Sequence, residues 1–351
     1  MHSKGPTIYD SDQVDAFCRK NGINPHALKR FRLAFFKKAL PLDACLATLP
    51  TAGGAAFAEH VGLHRLRLAE RQDSNRDGAS KLVFVTAEEQ RVEAVILRIR
   101  SGRTTLCISS QIGCSAACAF CATGRMGFTR NLTVGELLDQ VVLARRLLGA
   151  EGRRLRNIVI MGMGEPFHNE QAVCSALECL RDARCFCFSD RHLLVSTAGV
   201  PDAMLRFGAA FPAIRLALSL HAARQDVRAR LMPLGGGDSL ETLRAVLPTL
   251  ARHGHCMIEY LLLKDVNDGP ADLAALCEYL RGLAVHINLI QFNPFPGAPF
   301  LPVTRMAREA FGNELRKAGF KVTLRHSLGA DIAAACGQLA GTAPAHDGAS
   351  A

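Results

Sequence analysis

The chain has 351 residues, 49% of them apolar, and carries 42 Lys and Arg against 32 Asp and Glu, a formal charge of +10. That length suits one large domain with a smaller appendage, and no apolar run reaches the roughly 20 residues that a membrane-spanning helix needs. The cysteine count, 13, is odd, and the start (Met-His-Ser-Lys-Gly-Pro) lacks an apolar signal segment, so we expect a reducing, cytoplasmic setting rather than a secreted disulfide framework.

Residues 11–60 read as short helices with a basic face. Asn21-Gly-Ile-Asn-Pro25 is a turn, a helix is expected from about Pro25 to Ala39, and Thr51-Ala-Gly-Gly54 reads as a loop. Lys29, Arg30, Arg32, Lys37 and Lys38 are interleaved with Phe31, Phe35 and Phe36, and Arg65, Arg67, Arg71 and Arg76 follow. Cations clustered among aromatics suit a polyanion such as RNA, although the phenylalanine spacing is also that of a core-facing helix stripe. Residues 82–86 and 92–99 alternate as paired strands around the polar tip Ala87–Arg91.

The next segment holds Cys107 and then Cys114, Cys118 and Cys121, spaced Cys-x3-Cys-x2-Cys. Three thiolates are one short of a fully ligated [4Fe–4S] cluster, which leaves one iron open to a substrate or cofactor. Structural zinc also uses close cysteines but asks for four ligands, usually as two pairs, and no second Cys-x2-Cys follows. From spacing alone, cluster and zinc both stay open.

Beyond Cys121 apolar runs alternate with helical periods. Strands are expected at 157–162, 192–197, 214–220, 257–263, 286–292 and 320–325, and helices near 133–148, 170–182, 200–208, 239–253, 270–282 and 304–318. Six or more such units predict an α/β fold with a parallel sheet rolled into a partial (β/α)6 TIM-like barrel. Polar residues gather where the strands end: Gly164 and Glu165, Ser196, Ser219 and His221, and Asn293. In parallel barrels the loops after the strands build the active site. The expected domains are a basic helical accessory domain at 1–78, a β-hairpin extension at 79–103, the barrel at 104–340 and a disordered tail at 341–351.

The cysteine triplet looks like that of radical S-adenosylmethionine (SAM) enzymes. More specifically, Leu106-Cys-Ile-Ser-Ser-Gln-Ile-Gly-Cys114, Asn131-Leu-Thr-Val134, Met161-Gly-Met-Gly-Glu-Pro166, Ser219-Leu-His-Ala222, Ile287-Asn-Leu-Ile290, Asn293-Pro-Phe-Pro-Gly297 and Asp331-Ile-Ala-Ala-Ala-Cys-Gly-Gln-Leu339 resemble the RlmN/Cfr family, RNA methyltransferases acting on C2 or C8 of adenosine. The resemblance covers roughly residues 80–340. It implies a radical SAM barrel in which Cys114, Cys118 and Cys121 hold one [4Fe–4S] cluster and Gly164, Glu165, Ser196, Ser219, Leu220, His221 and Asn293 contact SAM. It also implies that two SAM molecules are used per turnover. One methylates Cys336; the other supplies a radical that removes hydrogen from that methyl group, and the resulting carbon adds to the base. Glu93 matches the proton acceptor and Cys107 the cysteine that closes a transient disulfide with Cys336, releasing the product. By position alone Glu93 would be a solvent-facing strand residue, Cys336 a small buried one and Cys107 a core cysteine. The remaining cysteines match no functional position.

The implied partners are rRNA, and tRNA as a second substrate, together with an electron donor such as flavodoxin and its reductase; the implied state is a cytoplasmic monomer with no membrane contact. Arg325-His-Ser-Leu-Gly329 departs from the Arg-x-Thr-Arg-Gly usual in the C2 group, and Cys121-Ala-Thr-Gly124 looks more like the C8 group, whereas Asn293-Pro-Phe-Pro-Gly297 looks like the C2 group. The RNA target and the carbon modified are therefore open. Two other readings stand beside the methyltransferase: a radical SAM enzyme with a different substrate, and a non-catalytic, metal-stabilised RNA-binding protein.

Overall fold

Short runs of Ile, Val and Leu, buried on both faces, form the strands of a sheet that helices cover. In the computed structural model, which describes residues 6–99, 101–233, 239–252 and 256–340, one ten-stranded sheet runs in chain order. It opens with an antiparallel meander of β1 (Arg67–Asp73), β2 (Ala79–Val85), β3 (Arg91–Arg98) and β4 (Thr104–Ile108). From β4 onward the pairing is parallel, through β7 (Asn157–Ile160), β8 (Leu193–Thr197), β9 (Arg215–Ser219), β10 (Cys256–Leu262), β11 (His286–Gln291) and β12 (Lys321–Arg325). A small separate pair, β5 (Gln111–Gly113) and β6 (Phe128–Asn131), flanks the cysteine loop.

This is the expected partial barrel with one additional parallel strand. That strand, β4, is short and ends in the Cys107 motif, so its period was hidden. The barrel helices are α5 (Ala122–Arg125), α6 (Val134–Ala150), α7 (Glu170–Arg181), α8 (Pro201–Ala210), α9 (Gln225–Leu231), α10 (Leu240–Ala251), α11 (Pro270–Leu280) and α12 (Arg305–Lys317). Their starts obey local chemistry: Thr133 and Glu136 form a capping box for α6, and Ser239 and Thr304 cap α10 and α12.

Strand pairing does not close the barrel; β1 and β12 are its edges. The chain after β12 spans the gap instead. Gly329 N donates to Asp77 Oδ2 (2.9 Å), Ser74 Oγ donates to Asp331 Oδ1 (2.9 Å), and Ala340 N donates to Glu93 Oε2 (3.0 Å). This return segment carries Cys336 across the top of the sheet.

The N-terminal helices α1 (Ser11–Lys20), α2 (Pro25–Arg32), α3 (Leu42–Leu46) and α4 (Thr51–His60) pack around Phe31, Phe35, Phe36 and Phe57, all fully buried. Three expectations need correction here. Thr51–Gly54 is the first turn of α4, not a loop: Phe57 packs edge-on to Phe31 (4.9 Å between ring centroids), and a Cβ at Gly53 would meet Ile23 Cγ1 at 3.0 Å, so close helix contact calls for glycine. The helix from Pro25 ends at Arg32 and passes into a π-turn at Leu33–Lys37. The helical segment stops at His60, and β1 extends the hairpin to three strands. Residues 341–351, expected to be disordered, lie outside the described residues.

Candidate active site

A cavity of about 360 Å³ opens at the ends of the parallel strands. Its wall includes Cys114, Cys118, Cys121, Cys107 and Cys336, together with Gly164, Glu165, Ser196, Ser219 and His221. Five cysteines from three separate stretches of chain thus face one space.

The cysteine loop is stitched to its surroundings by main-chain hydrogen bonds. Cys114 N donates to Gly127 O (2.8 Å), Ala119 N to Leu231 O (2.9 Å) and Ala122 N to Gly337 O (2.7 Å), while Thr123 Oγ1 donates to Leu339 O (2.5 Å). The last two bonds fix the segment bearing Cys336 against the loop. Burial pushes all three loop thiols above their ordinary value, Cys114 to about 12.

The polar groups at the strand ends are held in fixed roles. Gly164 adopts φ +102°, and a Cβ there would lie 2.6 Å from Gln111 Cβ. The Glu165 carboxylate accepts from Thr197 Oγ1 (2.7 Å), Ala198 N (2.6 Å) and Phe167 N (3.0 Å); burial still raises its proton affinity, against these donors. Ser196 and Ser219 face each other, with 3.4 Å between hydroxyl oxygens. His221 accepts from Leu261 N at Nδ1 (3.1 Å), which leaves its proton on Nε2, and its ring meets Phe120 edge-on (centroids 4.8 Å apart). Burial, with Arg228 adding, lowers its pKa to about 3, so the imidazole is neutral.

Two of the positions expected to contact SAM do not line the cavity. Leu220 is buried and offers only its backbone: its N–H donates to Glu259 O (3.1 Å). Asn293 stands behind the wall, where Nδ2 donates to Ser327 Oγ (2.9 Å) and to Cys336 O (3.2 Å), so it steadies the Cys336 backbone. Glu93 is 1% exposed, far from the solvent-facing position its strand alone would suggest. It shares the inward face of β3 with Val95 and Leu97, which line the cavity, but it lies beneath the return segment, bonded to Ala340 N and 3.5 Å from Lys81 Nζ.

Solvent reaches Cys336 through the cavity, whereas Cys107 is half-buried; both thiols are free. They act on each other electrostatically, and burial pushes Cys107 to about 12. The sequence reading missed two charged residues of this wall, Arg325 and Glu259. The signal for Glu259 was a lone charge inside an otherwise apolar strand, and that for Arg325 its place at the head of the Arg325–Gly329 motif.

Residues 108–277 match the Radical SAM superfamily. Over nearly the whole chain (95%, and 87% of the relative) the sequence is 45% identical to a probable RNA methyltransferase of Rhodopirellula baltica. The chain belongs to the RlmN/Cfr type of radical SAM RNA methyltransferases. Dual-specificity RNA methyltransferases RlmN are similar as well: 38% identity to a probable one from Thermus thermophilus (83% of this chain, 82% of that protein) and 42% to that of Magnetococcus marinus (76% and 75%). A crystal structure of a radical SAM methyltransferase from Sphaerobacter thermophilus superposes with a TM-score of 0.90 at 35% identity, covering 96% of this chain and 99% of that one.

A radical SAM protein uses a [4Fe–4S] cluster and SAM, and the residues present fit them. The three loop cysteines line one cavity, and the Cys118 thiol feels both Cys114 and Cys121; three thiolates hold a cluster and leave one iron open, where structural zinc asks for four ligands. With relatives that are RNA methyltransferases, the non-catalytic reading loses its support.

Proposed function

We propose that this chain methylates an aromatic carbon, C2 or C8, of an adenosine in RNA, using Cys336 as the methyl carrier and two SAM molecules per turnover. The observation that carries this reading is the placement of Cys336 in the same cavity as the three-cysteine loop, with Cys107 on the same wall. The cluster and SAM, when bound, supply a methyl group and a 5′-deoxyadenosyl radical. Cys114, Cys118 and Cys121 would hold the cluster; Gly164, Glu165, Ser196, Ser219 and His221 would orient SAM, with Asn293 and the Leu220 backbone in support.

An adenine ring carbon is a weak nucleophile, so a methyl group already bound to the protein is needed. Cys336 sits on a segment pinned by Ala122 and Thr123 on one side and Asn293 on the other, which holds its backbone in place. Glu93 would take the ring proton. It lies under the return segment, with Ala340 N already donating to Oε2, so a proton would go to the carboxylate's remaining acceptor positions. Cys107 would then close a disulfide with Cys336. The relatives called dual-specificity RNA methyltransferases support an RNA substrate; rRNA, with tRNA as a second substrate, would be that RNA, and a flavodoxin-type donor would feed electrons to a monomeric, cytoplasmic enzyme.

Cys336→Ala tests this directly. Nucleoside mass spectrometry of RNA incubated with the wild-type protein, SAM and reductant should show a methyladenosine, and the variant should give none while keeping its iron and its SAM cleavage. Iron loss in the variant would make Cys336 a cluster ligand and overturn the assignment.

A further inference from the structure

Arg325 and Glu259 have no part in the reaction as drawn above, yet both line its cavity, Glu259 buried and Arg325 half-buried. Arg325 ends β12, opposite Ile290 of β11. Its Nη1 lies 4.0 Å from Glu259 Oε2 and 3.8 Å from Met161 Sδ. Glu259, in β10, is 1% exposed; Oε1 accepts from Asn288 Nδ2 (3.0 Å), while Oε2 has no hydrogen-bond partner. A carboxylate buried in this way is costly unless a cation matches it, and Arg325 is that cation. Guanidinium does not lose its proton in proteins, so a permanent positive charge stands in the wall beside both Cys107 and Cys336.

The charges around Cys107 come from every neighbouring element. β12 contributes Arg325, β10 contributes Glu259, and the return segment contributes the Cys336 thiol. β3, next to β4, holds Glu93, which is paired with Lys81 of β2. His326 follows Arg325 just past the end of β12, and Arg308 of α12 donates to the Arg325 carbonyl (3.2 Å). β7 places Val159 opposite Cys107 and adds no charge.

We propose that Arg325, anchored by Glu259, is a positioning residue for product release, its guanidinium favouring the thiolate of Cys107 that attacks the sulfur of Cys336. This rests on the release role given to Cys107 above. In that step an S–S bond forms between Cys107 and Cys336. The bond from the Cys336 sulfur to the methylene carbon on the base breaks, and its electron pair passes to that carbon, which takes a proton from water and becomes the methyl group. The sulfurs lose the two electrons that the carbon gains, so no outside oxidant enters. The attacking species must be a thiolate, and burial alone holds the Cys107 thiol far from ionised.

The test uses the reconstituted holoenzyme and an RNA that accepts the methyl group. The readout is RNA-linked protein on a denaturing gel, per 5′-deoxyadenosine formed, across pH 7 to 9. Arg325→Met should accumulate about tenfold more linked species at pH 7, the equivalent of one unit in thiol acidity, and the excess should shrink as pH rises. Arg325→Lys should restore release. The double variant Arg325→Met/Glu259→Gln removes both charges of the pair together, so it guards against misfolding from an orphaned buried carboxylate, and it should stall in the same way. Release at the wild-type rate with an unchanged pH profile in the Met variants overturns the proposal, as does an equal stall with Lys. Cys107→Ala separates the two levels: if it traps linked protein and the Met variants do not, only the Arg325 role fails; if it traps none, the release role of Cys107 itself fails.

Discussion

A methyl group at position 164 would sit 2.6 Å from Gln111 Cβ and 2.7 Å from its backbone nitrogen, on a residue already at φ +102°. Gln111 cannot retreat, because its Oε1 holds the Glu165 amide (2.9 Å) and its Nε2 holds Asn131 (2.8 Å). Gly164→Ala should therefore cost about 1–3 kcal/mol of backbone strain and weaken SAM binding together, to be read by thermal unfolding and by calorimetric titration with SAM. His221 makes a prediction of its own. Its folded pKa, about 3, lies below the 6.5 of an unperturbed imidazole, so between these values the unfolded chain holds a proton that the folded chain refuses. Its contribution is intact above about pH 6.5 and is lost as pH falls toward 3. Urea unfolding across that window should show a fall in stability that His221→Asn reduces, Asn being tolerant of the positive φ of 56° found there. At this scale much of the site was legible. Glu165, Ser196, Ser219 and His221 stood out because polar residues at parallel strand ends have few structural reasons to be there. Arg325 and Glu259 did not: one charge in an apolar strand, as at Glu259, looks the same whether it faces water or a closed cavity, and Arg325 ends a strand that also carries Lys321.

Helix α6 joins the two parts of the molecule through one buried carboxylate. Asp139, with no exposure, accepts from Leu66 N (2.8 Å), His64 Nδ1 (3.0 Å), Tyr9 Oη and Arg65 N, all from the N-terminal region. His64 Nε2 in turn faces Arg146 Nη1 at 3.0 Å, so the imidazole bridges back to the same helix. Asp139→Ala strands several buried donors, each worth about 1–3 kcal/mol when left unpaired. The expected result is a loss of at least about 3 kcal/mol in urea unfolding, with new proteolytic cleavage near residues 61–67; an unchanged cleavage pattern would show that the phenylalanine packing alone holds the helices in place. Elements with a strong period, such as α6 and β7 to β12, were readable from sequence within a residue or two. Those that depend on distant partners were not. α4 carries two adjacent glycines and forms because Phe57 is buried against α2, and β1 is a charged edge strand whose pairing with β2, not its composition, makes it a strand.

Across the whole molecule, the excess of positive charge separates from the aromatics it accompanies in sequence. Phe31, Phe35 and Phe36 are fully buried, Phe31 stacked on Phe35 and Phe36 edge-on to Phe35 and Phe186, so they have no face to offer a nucleobase. Arg32 is buried with Asp15 (2.8 Å), and Arg71 is tied to Asp73 and Glu151. What the N-terminal helices present outward is Lys29, Arg30, Lys37 and Lys38. If RNA docks on this surface, its contribution is electrostatic, by release of counterions from phosphates, and carries no stacking term. Replacing all four with Gln should lower RNA affinity most at low salt and flatten the plot of log affinity against log salt, by about 0.7–0.9 for each phosphate contact removed. Phe36→Leu should instead lower folding stability and leave that slope untouched. Filter binding between 50 and 300 mM salt, run on both variants, distinguishes the two roles; an unaltered slope in the four-residue variant would place the RNA elsewhere, along the exposed Arg67 and Arg76 of the β1–β2 hairpin.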